Sequence, residues 1–290
     1  MKTKGVIITL LLVLARISWA QITVEVSLEQ KQYLPNESIP AIVRIINHSG
    51  QVLHFGDDAW LTYQVEARDG TTVPKESDVT IPHNFDIKPG DMATTHADLT
   101  PCFDISKVGR YSVTASVLVK DWDRQVASNP EDFTVLHGAS LWQQEFGVPQ
   151  DPANHAEPET RKYILEEASL LKRKNLYVRV TDVTESKTFR VNCLGPTLSF
   201  NGPQARLDSN NNLHLIYQEA SRKYSYIIVN PDGVICLHQT YVYSTSAPFF
   251  KVDAAGNPHI AGGERLLAKN DFPYGQADAT TNANPSTKAR

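Results

Sequence analysis

Pro203-Gln-Ala-Arg-Leu-Asp208-Ser-Asn-Asn-Asn-Leu-His214-Leu215 comes back as Pro248-Phe-Phe-Lys-Val-Asp253-Ala-Ala-Gly-Asn-Pro-His259-Ile260, with Asn212 matched by Asn257. Each copy sets an alternating apolar run, an Asp-to-Asn turn and a second apolar run in order. That order predicts a β-hairpin used twice, in units of about 45 residues. The second half of the chain is therefore expected to be a β-meander made by duplication.

Working outward, Leu176-Tyr-Val-Arg-Val180 and Phe189-Arg-Val-Asn-Cys193 predict another hairpin. Tyr224 to Val229 pairs with Val234 to Tyr241 across Asn230-Pro-Asp-Gly233, where Asp-Gly is the turn signal. The stretch from Glu157 to Lys174 admits two readings. Acids early, bases late and helix formers between them fit one helix. The likeness of Tyr163-Ile-Leu-Glu-Glu-Ala-Ser169 to Leu215-Ile-Tyr-Gln-Glu-Ala-Ser221 favours a strand. The repeat period, with Asp, Asn and His at the inner hairpin, resembles β-propeller blades. A ring closes with about 4 to 8 blades, so two repeats imply instead a compact barrel or sandwich, or a ring completed by other subunits.

The first half alternates too. Ile22, Val24, Val26 and Leu28 lead; Leu61, Tyr63, Val65 and Ala67 follow, ending in the turn pair Asp69-Gly70. Tyr111, Val113, Ala115, Val117 and Val119 give the longest run. Strands with one apolar and one polar face suit two antiparallel sheets packed together. Tyr33-Leu-Pro-Asn-Glu-Ser-Ile39, the pair Asn47 and Gly50, Ile87-Lys-Pro-Gly90, and Val108-Gly-Arg-Tyr-Ser-Val-Thr-Ala115 carry a resemblance. They are similar to the landmarks of immunoglobulin-like modules in bacterial exported proteins, and to macroglobulin-type and proteinase-inhibitor-type sandwiches. The resemblance implies a fold and no active residue. Where such families have Pro-Gly in the first turn, this chain has Pro35-Asn36, and Asn also accepts left-handed backbone.

The expected organisation is an all-β chain with residues 1–20 as a secretory signal. An immunoglobulin-like β-sandwich follows over 21–148, then a Pro-rich linker over 149–161. A β-repeat domain of two propeller-blade-like units over 162–265 and a disordered tail over 266–290 complete it. Lys2 and Lys4, the apolar run Val6 to Leu14 and the small-residue end Ser18-Trp-Ala20 carry the signal reading, with Gln21 as the mature N-terminus. No membrane span is expected after cleavage, and the protein is expected in the periplasm or outside the cell. The 290 residues, 41% hydrophobic and 21% charged, provide two cores. A net charge of −4 leaves no basic excess for nucleic acid.

Three cysteines are too few for a disulfide scaffold. Cys193 and Cys236, both in the repeat half, are the better pair if a bridge forms; three buried thiols is the other reading. Asp208, His214, Asp253 and His259 are the duplicated polar set and could hold a metal or share a proton. Against that, an Asp heading a turn commonly binds its own backbone amides. Asp57 and Asp58 with Asp121 and Asp123 could ligate calcium, yet match no calcium-loop spacing. Trp60, Trp122 and Trp142 could stack on sugars or close the core ends. Gly-x-Ser-x-Gly, His-Glu-x-x-His, phosphate-loop and dinucleotide signatures are absent.

The function expected is thus a non-catalytic, cofactor-free binding or structural module at the cell envelope, with a protein or carbohydrate of the cell surface as partner. A protease-inhibitor or macroglobulin-like module is the alternative. A metal-assisted hydrolase centred on the four duplicated residues is the weaker one.

Overall fold

The computed structural model describes residues 21–56, 60–80, 84–148, 159–170, 173–198 and 202–272. Residues 1–20, expected as a signal, Asp57 and Asp58, most of the expected linker (149–158) and the expected tail after Phe272 lie outside the described residues. Regular structure among them is β, with one 3-10 turn at Lys120–Trp122. No helix of the described residues is long and apolar enough to cross a membrane. Contacts divide the chain into two compact units, one running to Tyr33 and over Ile39–Val135, the other comprising Leu34–Ser38 and the chain from Leu136.

The first unit holds β1 (Ile22–Leu28), β2 (Gln32–Tyr33), β3 (Pro40–Asn47), β4 (Leu53–Phe55) and β5 (Leu61–Ala67), then β6 (Phe85–Ile87), β7 (Met92–Asp98), β8 (Gly109–Val119), β9 (Arg124–Ala127) and β10 (Glu131–Val135). One sheet runs β1-β3-β7 and another β2-β10-β8-β5 with β9 also on β8, while β4 and β6 form a small pair. The alternation seen in the sequence is realised: Val24, Val26, Val43 and Ile45 of the first sheet and Val65, Val113, Ala115 and Val117 of the second share one buried core. Each of these valines and Ile45 contributes about 1.5–3 kcal/mol by burial. Trp60 closes one part of this core against Phe55 and Phe85, with ring centroids 5.4 and 5.2 Å away. The Asp69-Gly70 turn forms as expected, Gly70 taking φ 81° and its amide donating to Ala67 O at 2.9 Å. Asn36 does adopt left-handed backbone, φ 61°.

The second unit holds β11 (Ala139–Gly147), β12 (Thr160–Leu170), β13 (Arg173–Asp182), β14 (Thr188–Pro196), β15 (Gln204–Leu207) and β16 (Leu213–Ala220), then β17 (Lys223–Val229), β18 (Ile235–Val242), β19 (Phe249–Val252), β20 (Pro258–Ala261) and β21 (Glu264–Leu266). They make an antiparallel sheet β11-β12-β13-β14, a second one β15-β16-β17-β18-β21, and the separate hairpin β19-β20. Residues 160–170 are strand, so the helix reading of that stretch is set aside. The expected boundary at Val148 moves upstream, because β11 pairs with β12 and belongs to this unit.

The layers stack. Tyr163, Leu165, Val178 and Val180 of the first sheet pack on Leu213, Leu215, Ile227 and Val229 of the second. Ile216, Tyr226, Ile228 and Leu237 point out of the other face and receive Phe250 and Ile260 of the hairpin. A strand covered on both faces cannot alternate with polar residues, which is why Leu213-His-Leu-Ile-Tyr217 is buried without a break.

The two quoted segments make the same turn. Asp208 and Asp253 each donate their amide to the Asn four residues on, at 3.1 and 3.0 Å. Their side chains accept amides two and four residues on, at 2.9 and 2.9 Å for Asp208 and 2.9 and 2.8 Å for Asp253. Asn211 (φ 62°) and Gly256 (φ 88°) hold the left-handed position. Asn230 organises its turn in the same way, with Gly233 at φ 79°. Beyond the turns the copies part: the first hairpin joins a five-stranded sheet, whereas the second stays two-stranded and β21 returns to β18. The described residues form no closed barrel or propeller.

Gly256 and Gly233 invite a direct comparison. Gly256→Ala adds a Cβ into open space and is expected to cost about 1–2 kcal/mol from left-handed backbone alone. Gly233→Ala is expected to cost more, because its Cβ would also lie 2.8 Å from Cβ of Arg190. Denaturant unfolding of the two variants gives the ranking.

Candidate functional site

The turn after β15 and the start of β16 bring Asp208 and His214 together. His214 Nε2 lies 3.2 Å from Asp208 Oδ2, and Nδ1 lies 2.7 Å from the Tyr226 hydroxyl on β17. A carboxylate can only accept, so Nε2 carries the proton and Nδ1 accepts from Tyr226. Asp208 Oδ2 takes a further bond from Asn212 Nδ2 at 2.9 Å, while Oδ1 holds the turn amides. Phe250 of the hairpin meets both rings edge-on, its centroid 6.4 Å from His214 and 6.1 Å from Tyr226.

Burial sets the electrostatics. His214 is 7% exposed, and desolvation pulls its pKa below the usual imidazole value although Asp208 pushes the other way. Burial also works against the charge of Asp208, but the bonds from Asn212, His214 and Asn210 prevail and hold its pKa below the ordinary carboxylate value. The pair is therefore a neutral imidazole on a carboxylate, sealed under an aromatic lid.

The second copy does not repeat this. Asp253 and His259 are exposed, and the Asp253 carboxylate is occupied by the amides of Ala255 and Asn257. The two turns do touch, through Ser209 N donating to Asn257 Oδ1 at 3.2 Å. Among the described residues no three His, Cys, Asp or Glu come together as metal ligands. Asp57 and Asp58 lie outside the described residues, and Asp123 instead caps the 3-10 turn in left-handed backbone at φ 48°.

The bridge weighed between Cys193 and Cys236 is not formed. The two cysteines lie on different sheets and neither is in a disulfide, Cys193 taking a bond from Asn175 Nδ2 at 3.7 Å and Cys236 donating to Val234 O at 3.5 Å. Nor do the tryptophans build a sugar platform: Trp60 is buried, and Trp122 and Trp142 pack on different cores.

The first unit carries a groove of about 340 Å³ lined by residues 24–27 of β1, Ile42 and Arg44 of β3, and residues 129–131. It opens where β1 ends its sheet and where the opposite sheet is kinked between β9 and β10. Ser128 makes the kink, donating its amide to Ala115 O at 2.8 Å and accepting from Ala115 N on its hydroxyl at 3.1 Å. Glu25 stands across from Arg44 in register, with a 3.6 Å ion pair. Glu131 is paired with Lys31.

Tyr226, Phe250 and the groove were not singled out from the sequence. Tyr226 becomes a neighbour of His214 only through the β16–β17 register, which pairs Ile216 with Tyr226. The groove depends on which strands end a sheet, and no local pattern encodes that.

No protein-family model matches this chain. No curated protein matches it. Among solved structures it is similar to Spo0M, the sporulation control protein of Bacillus subtilis, a distant neighbour at 11% identity and TM-score 0.30 that covers 55% of this chain and 79% of that one.

Proposed function

We propose that this is an exported, non-catalytic recognition protein of the cell envelope, built from an immunoglobulin-like sandwich and a propeller-blade-like layered unit. The observation that carries the non-catalytic reading is the commitment of His214 and Asp208, the acid–base candidates that the duplicated segments supply. Both ring nitrogens of His214 and both oxygens of Asp208 are bonded inside the fold. A general base needs reach to a substrate proton, and a buried, fully engaged imidazole has none.

Support for the sandwich comes from strand order: β1-β3-β7 faces β5-β8-β10, and β2 runs parallel to β10. Tyr111, near the start of β8, donates its hydroxyl to Lys107 O at 2.7 Å, the corner bond frequent in such sandwiches. The blade-like reading leans on the stacked antiparallel layers and the shared Asx turns. A protein or carbohydrate of the cell surface is the partner class, since such scaffolds bind through loops and sheet edges.

Expression of the full chain tests this reading. Mature protein beginning at Gln21 in the exported fraction is the expected result, with no turnover of chromogenic esters, glycosides or phosphate esters by the wild type. Turnover that disappears in Asp208→Asn and His214→Gln would overturn the non-catalytic assignment; retention of residues 1–20 on cytoplasmic protein would overturn export.

A further inference from the structure

We infer that the free edge of β1 accepts an added strand: an extended peptide from another protein, carrying Lys or Arg across from Glu25. The inference rests on the recognition reading above and names its surface and partner. Among the described residues β1 ends its sheet, with hydrogen-bonded pairing only to β3, so its other edge presents a row of backbone donors and acceptors. Its sequence, Ile22-Thr-Val-Glu-Val-Ser-Leu28, contains neither Pro nor Gly and is regular along its whole pairing with β3. The devices by which proteins protect an edge lie across the groove instead. There the strand breaks between β9 and β10, and Pro130 has no amide hydrogen to give a ladder. An incoming strand therefore pairs with β1 and lies along the 129–131 kink.

Charge decides the occupant. The groove is lined by Glu25, Glu131 and Arg44; Glu131 is held by Lys31, so Glu25, half exposed on β1, is the carboxylate that an added strand meets. On its paired edge, Glu25 already faces Arg44. A base across the free edge repeats that arrangement, and opposite charges across strands stabilise where like charges repel. A second copy of this chain is the poorer occupant, since two antiparallel β1 strands paired about their midpoint set Glu25 against Glu25.

The experiment uses the full chain and two synthetic peptides. One has the sequence of residues 40–47, the complement this chain itself places beside β1; the other carries glutamate in place of its arginine. Hydrogen exchange by mass spectrometry reads the amides of residues 22–28. The arginine peptide is expected to slow them and to bind up to about fivefold more tightly than the glutamate peptide. In Glu25→Lys, a change at an exposed side chain, the preference is expected to reverse. No slowing at β1 by either peptide overturns the inference, as does slowing indifferent to the peptide's charge. Slowing that tracks protein concentration without peptide assigns the edge to self-association and overturns it too. The export and turnover results above stand or fall independently of these outcomes.

Discussion

Leu215→Ala and Ile216→Ala, at adjacent positions of β16, are each expected to destabilise the protein by about 2–5 kcal/mol. Neighbouring residues on a strand point to opposite faces, so in a sheet with one solvent face one of the pair would be tolerated within about 0.5 kcal/mol. Here both faces are covered. Leu215 is 0% exposed between the two large sheets, and Ile216 is 2% exposed under the hairpin β19-β20. The lost contacts differ accordingly. Leu215→Ala opens the interface that joins the two large sheets and should lower the midpoint of the whole second unit. Ile216→Ala loosens the hairpin layer first. Denaturant unfolding with tryptophan or circular-dichroism detection measures the first effect, and hydrogen exchange of residues 249–261 the second. A neutral result at either position would remove the three-layer arrangement.

Acidification is the second large perturbation. The pKa of His214 is lowered in the folded protein by burial, against an ordinary value of about 6.5 once the site opens. The open form therefore binds more protons below about pH 6.5, and stability falls as pH falls from there to the lowered folded-state value. Above that window His214 contributes no pH dependence. The contribution of Asp208, whose pKa is also lowered, is present at neutral pH and is lost only in the acid range below its ordinary value.

Protonating Nδ1 converts it to a donor facing the Tyr226 hydroxyl that had been donating to it. Arg206, in register with His214 on β15, is exposed. Lys251 and His259 share a register pair next to Phe250 and Ile260, and alternation turns them away from His214. The expected result is faster exchange of the amides 249–261, up to about tenfold per pH unit below 6.5 after correction for intrinsic rates. In His214→Gln the amide can replace both neutral bonds, and the response should vanish. The first unit has its own acid-sensitive group of opposite sign: hydrogen bonding to Asp86 raises the pKa of exposed His54. Segment-resolved exchange separates the two.

What the sequence made legible was whatever is decided locally. Asp208 and Asp253 were readable as turns because an Asx side chain bonds amides two to four residues away, and Asn230-Pro-Asp-Gly233 because Gly233 accepts positive φ, each inside a single window. Val113, Ala115 and Val117 were readable as a one-sided strand because period-two burial needs no knowledge of the partner. β11 was hidden, since Ala139–Gly147 is mostly exposed and joins the sheet through its backbone. Asp208 and His214 stood out in the sequence as members of a duplicated set, but their contact with each other did not. The neighbours Tyr226 and Phe250 arrive from β17 and from a separate hairpin, so only register and layer order bring them there. The failure of Asp253 and His259 to match them has the same origin, because the second copy lacks the flanking strands that bury the first.

The pairing pattern has a consequence for how the chain acquires its shape. In the second unit the successive strands β11 to β14 and β15 to β18 each pair with the next in the chain, and the turns at 182–187, 208–212 and 230–234 carry their own closing bonds. In the first unit Tyr63 must find Ala115, and Val43 must find Thr95. Loop closure over such separations is entropically costly and slows folding. The C-terminal half is thus the lower contact-order body, able to zip from any of its hairpins, whereas the N-terminal half waits on distant encounters.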